Sequence, residues 1–298
     1  MMGHKISVVI PNYNGLELLK ENLSKVISST KYFDENSEFI LVDDASTDES
    51  VLYVRKKFPE IRIIKHSINR GFSSSVNTGI KYTKGDFIVL LNTDVKPAEG
   101  YLKSAVDILK DDKVFAVSFH EVGFGWARGF FRNGFVEHGV GGMGETVHET
   151  FWVSGGSGIF RKCLIQKLGG FDEKLFDPYY WEDLDICYRA MKRGYKLFWD
   201  PNSNVIHNHE STIGSISKKK KDLVLQRNQL LFIWKNITSR VLFKRHIRGL
   251  ILRLSRHPGY IKIVFAALSK YSICRERRRL EIKGSKVSDE AIFSKFNN

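Results

Sequence analysis

Cysteine is scarce in this chain of 298 residues, and long apolar runs are lacking. The three cysteines, Cys163, Cys187 and Cys274, form no CxxC pair, so we expect neither a disulfide framework nor a zinc site, and a reducing cytoplasm fits best. No uncharged apolar run approaches the ~20 residues that span a bilayer. The apolar stretch near the N terminus is too short for a signal peptide and is broken at Pro11 and Asn12.

A common phosphate-binding motif is missing as well. The chain has no Walker sequence, the loop on which many nucleotide sites are built. What the sequence does have is an apolar fraction of 42%. That fraction predicts an ordered globular chain, and the length allows one large domain or two smaller ones.

Basic charge is concentrated in the last part of the sequence. The net charge is +14, and residues 214–298 contain 21 of the 47 basic and 5 of the 33 acidic residues. That region therefore carries +16, whereas residues 1–213 carry −2. Basic regions attract nucleic acid, anionic membranes or acidic partners.

Strand and helix patterns alternate over the first 120 residues. Continuous apolar runs, as in VVIPNYN, EFILVDD and DFIVLLNTD, predict buried strands, and segments with helical spacing lie between them. The pattern predicts an α/β fold with a parallel sheet covered on both faces. Polar clusters (PNYN, DDAS, HSINRG and NTD) end four of the strands, and ligands of such sheets bind beyond these carboxyl ends.

The next segment, residues 122–158, holds eleven of the 24 glycines. Because glycine permits a hinging backbone, we expect a mobile loop that could act as a lid, or else a long irregular surface insertion. Two short strands are then predicted at KLFWD and NVIHNHE, and the chain from about residue 222 is predicted to be helical and basic.

Polar residues at two strand ends could carry chemistry. Asp43 and Asp44 could recognise a base or ribose, or could simply cap the next helix. Asp94, with Asn92 and Thr93 before it, ends another strand. A carboxylate there could hold a divalent cation against a diphosphate, because hard cations prefer oxygen ligands.

Histidines and a cluster of acids occur later in the chain. His207 and His209 alternate on a predicted strand, so they point to one side as metal ligands would, although a histidine is more often structural. The stretch YYWEDLDICYRA places Glu182, Asp183 and Asp185 within four residues. On a helix, Glu182 and Asp185 share a face and Asp183 points about 100° away. The acids could mark a helix start, a metal site or a catalytic base.

Seven motifs occur in a specific order between residues 5 and 212: VVIPNYNG, LVDDASTDES, NRGFSSSVNTGI, DFIVLLNTDV, VSGGSGIFRK, GGFDE and WEDLDICYR. Together they resemble the inverting glycosyltransferases of family two. The later segment QRNQLLFIWKN is similar to the rhamnosyltransferase-like branch, which acts on cell-envelope polysaccharides and lipid-linked sugars. The resemblance implies a GT-A fold, which is Rossmann-like, with a mostly parallel central sheet and helices on both faces, followed here by a basic α-helical C-terminal region.

The resemblance assigns a site for a nucleotide-diphosphate sugar. Asp94 would hold Mg²⁺ or Mn²⁺, with His207 as a further ligand. Asn92 stands where the family has the first acid of its DxD motif, but the second acid, which makes the metal contact, is kept. The residues that would line the donor site are Pro11, Asn12, Tyr13, Asp43, Asp44, Asn69, Gly71, Asn92 and Thr93.

The resemblance also assigns the acceptor side. Inverting transfer is a single in-line displacement, so the acceptor hydroxyl needs a base within hydrogen-bond reach, and Asp183 would be that base. The residues that would border the acceptor or support the base are Gly155, Gly156, Ser157, Trp181, Glu182 and Asp185.

The basic region, residues 214–298, is interpreted as a helical extension after a catalytic domain of residues 1–213. Basic residues interleave there with an apolar stripe, which is typical of a helix on an anionic membrane surface. A helical appendage packed on the catalytic domain is the alternative, and nucleic acid is not expected as a partner. We expect a cytoplasmic protein, peripheral on the inner face of the membrane. The stripe consists of Val241, Leu242, Ile247, Leu250, Ile251 and Leu254.

The predicted function is transfer of a single sugar to a hydroxyl of a lipid-linked or cell-envelope polysaccharide acceptor. A processive polysaccharide synthase would need transmembrane helices and a QxxRW motif, and the chain has QRNQL instead. A non-catalytic nucleotide-sugar binding protein would have a broken acid cluster, yet Asp94 and Asp183 are present. A nucleotidyltransferase would carry a glycine-rich basic loop where this chain has PNYNG.

Overall fold

The computed structural model describes residues 5–208 and 217–296. Strands and helices alternate in the first part of the chain, as predicted. The strands are β1 (Ile6–Asn12), β2 (Glu38–Asp43), β3 (Arg62–Lys65), β4 (Phe87–Leu91), β5 (Val95–Pro97) and β6 (Val114–Glu121). The helices are α1 (Leu16–Phe33), α2 (Ser50–Lys57), α3 (Phe72–Tyr82) and α4 (Leu102–Ile108).

Later segments add strands first and helices afterwards. The strands are β7 (Trp126–Arg132), β8 (Phe135–Gly142), β9 (His148–Glu149), β10 (Ser157–Arg161) and β11 (Lys196–His207). The helices among them are α5 (Lys162–Lys167), α6 (Glu173–Phe176) and α7 (Glu182–Lys192). The C-terminal helices are α8 (Lys218–Asn236), α9 (Arg240–Arg256), α10 (Ile261–Leu268), α11 (Tyr271–Gly284) and α12 (Asp289–Phe296), with a 3₁₀ turn at Pro258–Tyr260.

One mixed sheet lies at the centre of the described structure. Its strand order is β3-β2-β1-β4-β10-β6-β11-β5, with β9 paired to β11. Strands β1 to β4, β6 and β11 run in one direction, while β10, β5 and β9 run against their neighbours. The α/β fold with a mostly parallel sheet is therefore confirmed.

The sheet is covered on both faces, because side chains alternate along each buried strand. Val8 and Ile10 of β1 belong to an apolar cluster that includes residues of α1, α2 and α4. Val9, between them, belongs to a second cluster that includes residues of α3, α8, α10 and α12. The C-terminal helices thus share a core with the sheet, and the proposed boundary at residues 213 and 214 lies outside the described residues.

Packing of the last helix shows how closely the C-terminal region is joined to the body. Phe293 and Phe296 of α12 are buried, and their ring centroids lie 5.9 and 5.5 Å from that of Phe151. Burying one such side chain contributes ~1.5–3 kcal/mol. Of the described helices, none combines the length and apolar character that crossing a membrane requires.

Two local predictions differ from the structure. The glycine-rich segment forms the antiparallel hairpin β7–β8, so the mobile-loop interpretation is wrong for residues 126–142. KLFWD and NVIHNHE contribute to one long strand, β11, which keeps its pairing with β6 across an irregularity between Asp200 and Asn204. The extra residues of β11 at this point are tolerated because a bulge disrupts the pairing only locally, and the strands pair again on either side of it.

Candidate active site

Buried polar side chains brace the carboxyl ends of β1 and β2. Asn12 is buried, and its Nδ2 donates to Asp43 Oδ1 at 3.0 Å and to Ser50 Oγ at 3.0 Å. Pro11 precedes it, half-buried, and Tyr13 follows it, exposed at the rim. Asn12 and Asp43 therefore fix the ends of the two strands, and the ring of Tyr13 is exposed beside them.

Asp44 organises the loop between β3 and α3. Its carboxylate accepts from His66 Nδ1 at 2.7 Å and from the backbone N–H groups of Arg70 and Gly71 at 2.9 and 2.8 Å. The side-chain oxygen of Asn69 also accepts from the Gly71 N–H, at 3.2 Å. The structure thus brings Asp44, Asn69 and Gly71 together. Asp44 anchors this loop, and its contact with a nucleobase stays a prediction.

The segment after β4 is held from two sides. The Asn92 backbone N–H donates to the carbonyl of Gly156 at 2.9 Å, and the Thr93 carbonyl accepts from Asn22 Nδ2 at 3.1 Å. Asp94 follows and is buried. These contacts fix the direction in which Asp94 leaves the strand.

Asp94 meets a histidine from β11 and a second acid from β6. His207 Nε2 lies 3.2 Å from Asp94 Oδ1, and His207 Nδ1 donates to Glu121 Oε1 at 3.0 Å. The Ser157 hydroxyl also donates to Glu121 Oε1. Burial alone would lower the pKa of His207, but its bonds to Asp94 and Glu121 outweigh burial and raise the pKa to about 9. The imidazole is therefore a cation at neutral pH when no metal is present.

Glu121 is a site residue that sequence reasoning missed. Glu121 is the last residue of β6 and is buried, and Asp94 likewise lies just after the end of β4. The rule that ligands bind at carboxyl ends of parallel strands would have found it. Its signal was weak because the surrounding letters, VSFHEVG, form no recognised motif.

The acid cluster opens α7 after two residues with left-handed backbone. Tyr180 and Trp181 have φ values of 71° and 77°, a conformation that costs side chains energy and is enriched at functional sites. Asp183 comes next in the first turn and is half-buried. Its Oδ1 accepts from the Leu184 N–H at 2.7 Å, and its Oδ2 accepts from the Gly155 N–H at 3.4 Å. The bend and these N–H groups together aim the carboxylate.

Burial and charge separate the protonation states of the two neighbouring acids. Burial raises the pKa of Asp183 to about 6, although backbone N–H donors oppose it. Burial, followed by the charge of Asp183, raises the pKa of Glu182 well above its usual range. Glu182 Oε2 has no hydrogen-bond partner among the described residues. Burial therefore disfavours a second negative charge beside Asp183, and the backbone N–H donors favour the carboxylate form of Asp183.

Asp185 has a different environment. It is fully buried, and its carboxylate bonds Arg189 Nε at 2.8 Å, Lys235 Nζ at 2.8 Å and Asn236 Nδ2 at 2.8 Å. Lys235 also bonds Asp172 at 2.8 Å. Burial would raise the pKa of Asp185, but these cations lower it. Asp185 therefore joins α7 to α8.

Asp94 and His207 have the chemistry of a small divalent-metal site. A carboxylate oxygen and an imidazole nitrogen converge, and Glu121 holds the other ring nitrogen of His207, as carboxylates do behind metal-binding histidines. Within residues 5–208 and 217–296, no group of three or more His, Cys, Asp or Glu side chains is arranged to hold a metal ion. A metal here would therefore take further ligands from a diphosphate and water. His209 lies outside the described residues.

Two curated relatives are similar to parts of this chain. The pre-mycofactocin glycosyltransferase of Mycobacterium tuberculosis is 26% identical over 216 residues, which are 70% of this chain and 43% of the relative. The undecaprenyl-phosphate 4-deoxy-4-formamido-L-arabinose transferase of Sodalis glossinidius is 30% identical over 112 residues, 36% of this chain and 34% of the relative. The chain thus spans less than half the length of either relative.

Among solved structures, that of GalNAc-T7 with UDP, GalNAc and Mn²⁺ matches with a TM-score of 0.64 and 18% identity. The match covers 87% of this chain and 57% of that one. It shows that the two proteins share the GT-A fold. The glycosyl transferase family group 2 model matches residues 87–275, and the glycosyl transferase family 2 model matches residues 7–165, more than half of the chain. The motifs, the fold and this match agree, and the chain belongs to glycosyl transferase family 2.

Proposed function

We propose that the protein transfers a single sugar from a nucleotide-diphosphate sugar to a hydroxyl of a lipid-linked or cell-envelope polysaccharide acceptor, with inversion. The observation that carries the proposal is the Asp183 carboxylate, half-buried and aimed by the Gly155 and Leu184 N–H groups. A pKa of about 6 leaves it ionised at neutral pH and still basic enough to take a proton.

In the proposed reaction, Asp183 removes the proton from the acceptor hydroxyl as its oxygen attacks the anomeric carbon. The bond from that carbon to the diphosphate oxygen breaks, and the nucleoside diphosphate leaves with the electron pair. Burial raises the pKa of the neighbouring Glu182, which disfavours a second negative charge beside the base. An in-line attack opposite the leaving group inverts the anomeric centre.

Negative charge grows on the diphosphate as it departs, and Asp94 and His207 are the proposed ligands of a metal that would neutralise this charge. They would hold Mg²⁺ or Mn²⁺, and a bound ion of this kind would neutralise the diphosphate charge. Glu121 orients the imidazole through Nδ1. The Mn²⁺ and UDP named for GalNAc-T7 support a metal and a nucleotide here.

The cleft beyond β1 and β2 is the proposed donor pocket. Tyr13 is exposed at its rim, and the loop held by Asp44 closes one side with Asn69 and Gly71. Backbone N–H groups and a tyrosine ring suit a nucleoside. For the acceptor, support comes from the relative that is named for transfer to undecaprenyl phosphate.

The α9 helix supports the proposal of peripheral attachment to the inner face of the membrane. Its outer side presents Ile247 and Ile251, 42% and 61% exposed, beside the exposed Lys244 and Arg248. The helix sequence RVLFKRHIRGLILRLSR contains no acidic residue. A surface that mixes apolar and basic side chains fits an anionic lipid layer.

The test is a transfer assay with the full chain. Nucleotide sugars carrying UDP, GDP or dTDP are incubated with bacterial membrane lipids and Mn²⁺ or Mg²⁺, and released diphosphate is measured. We expect one donor to be consumed, EDTA to suppress the reaction, and NMR of the product to show the opposite anomeric configuration. Retained configuration, or no consumption of any donor, would contradict the proposal.

A further inference from the structure

A small pocket with aromatic walls lies near the proposed base. The pocket has a volume of about 240 Å³ and lies between the end of β6, the β7–β8 hairpin and the segment before β10. We call it the hairpin pocket. The lining side chains that matter are Glu121, Trp126, His138, Trp152 and Ser154.

The aromatic walls are held in place by their neighbours. Trp126 stacks on His148 with centroids 4.0 Å apart and planes 14° apart. The His138 ring meets Trp152 edge-on at 5.8 Å and Trp181 edge-on at 5.7 Å. Trp126 and Trp152 are only partly buried, so part of each ring is left for a ligand.

Glycines of the hairpin make these positions possible. A Cβ atom at Gly141 would lie 2.3 Å from the Trp126 ring, and one at Gly129 would lie 2.2 Å from the Phe151 ring. Larger residues would displace both rings. The glycine-rich sequence therefore serves to seat aromatic side chains against the hairpin backbone.

Two lining residues connect the pocket to the candidate catalytic groups. Glu121 lines it and bonds His207. Ser154 also lines it, and the next residue, Gly155, donates its N–H to Asp183. The pocket therefore lies one residue along the chain from a group that bonds the proposed base.

The position of the base decides which ligand this is. The proposed nucleotide site lies at β2 and β1, which β4 and β10 separate from the hairpin pocket at β6. The acceptor is the substrate whose hydroxyl must come within hydrogen-bond reach of the base. A ligand that approaches Asp183 from the hairpin is therefore assigned as the acceptor.

We propose that the hairpin pocket binds the acceptor sugar ring whose hydroxyl is delivered to Asp183, with Trp126 and Trp152 against the apolar face of the ring. The inference rests on the function proposed above. Aromatic walls with a few polar groups suit such a ring. Since pockets for drug-sized ligands measure about 300–1,000 Å³, a volume of about 240 Å³ admits a single ring.

Saturation-transfer NMR on the full chain tests the pocket, with methyl glycosides of glucose, galactose, N-acetylglucosamine and rhamnose as probes and UDP and Mn²⁺ present. We expect at least one glycoside to bind. Trp152→Ala should weaken it about five- to tenfold, the loss expected for one aromatic contact, and Trp152→Phe should restore most of the affinity. Tyr32→Ala, which removes an aromatic side chain 67% exposed on α1, should have no effect.

Trp126→Ala is a second variant, and thermal melting checks that each variant folds. Binding unchanged in both alanine variants, or no binding by any glycoside, would overturn the pocket assignment. A third result would also overturn it: the alanine variants bind UDP-glucose or UDP-N-acetylglucosamine more weakly than the unmodified protein but bind the glycosides equally well. That result would identify the pocket as a donor-sugar pocket. Because donor consumption by the unmodified protein is measured separately, failure of the pocket is distinguished from failure of the proposed function.

Discussion

Two sides of the first turn of α7 differ more than their sequence suggests. Asp183 faces Gly155 across a half-buried cleft, and burial raises its pKa to about 6. Asp185, two residues later, is fully buried against α8, and Arg189 and Lys235 lower its pKa. One carboxylate is the proposed base, whereas the other is paired with cations in the core.

The difference teaches how a helix can separate the two tasks. Adjacent side chains on a helix point about 100° apart, so the same turn reaches two environments. On the cleft side, backbone N–H groups aim the acid without neutralising it. On the core side, paired cations compensate a buried charge, whose desolvation would otherwise cost several kcal/mol.

The largest expected effect is on transfer by Asp183→Asn. An amide cannot take the acceptor proton, so we expect the rate to fall by ~10²–10⁴-fold. Donor binding, measured by calorimetry with Mn²⁺, should stay nearly unchanged, because the base acts on the acceptor. The exposed Asp107→Asn on α4 is the matched control. Full activity of Asp183→Asn would remove the base assignment.

The second effect is on stability, and we expect substitution of Asp185 to destabilise the fold while substitution of Asp183 does not. Asp185→Asn leaves Arg189 and Lys235 without their shared carboxylate, which costs about 3–5 kcal/mol. Its melting temperature should fall by roughly 6–12 °C. Asp183→Asn should melt at the same temperature or higher, because it replaces a carboxylate whose ionisation burial disfavours. Equal melting temperatures for the two variants would contradict the comparison.

The pH dependence should also distinguish the two acids. Activity needs ionised Asp183, so kcat/KM should fall as pH drops through about 6. Because the folded-state pKa of Asp185 is lowered, its contribution to stability is present above the unfolded pKa of ~3.9 and is lost as pH falls further. Activity at pH 5 should therefore be low while the fold is still stable. Unfolding that coincides with the activity loss would argue against this.

The smallest expected effect is on membrane binding by α9. Its exposed side carries apolar and basic side chains, whereas Lys235 of α8 is buried in ion pairs. Replacing Ile247 and Ile251 with serine should weaken binding to vesicles containing phosphatidylglycerol by about tenfold, since the two partly exposed side chains together contribute roughly 1.4 kcal/mol of apolar transfer. Leu52→Ser, which removes a similar side chain 60% exposed on α2, is the control. Equal vesicle sedimentation of all variants would exclude α9 as the lipid contact.

Much of the fold followed from the sequence because it depends on local patterns. β1, β2 and β4 were predicted from continuous apolar runs, and the candidate site was predicted from polar residues at their ends. The β7–β8 hairpin was missed because glycines were interpreted as mobility. Gly141 and Gly129 instead make room for the rings of Trp126 and Phe151, which are distant partners.

The candidate site residues stay predictions, and most of them came from motifs. Asp94 and Asp183 belong to motifs that can be recognised in one sequence, whereas His207 was assigned only from the resemblance. Glu121 belongs to none, and only the pairing of β6 with β11 brings it to His207. The separation of Asp183 from Asp185 likewise depends on Lys235, fifty residues away along the chain.

The sequence by itself determined the alternation of strands and helices, the polar ends of the strands and the family, because these depend on nearest neighbours and on ordered motifs. Only the tertiary structure decided which acid is paired with cations, that the basic C-terminal helices share the core of the sheet, and that the β7–β8 hairpin lines a pocket. Burial and long-range contacts set the pKa of each carboxylate, and neither can be computed from residues adjacent in the chain.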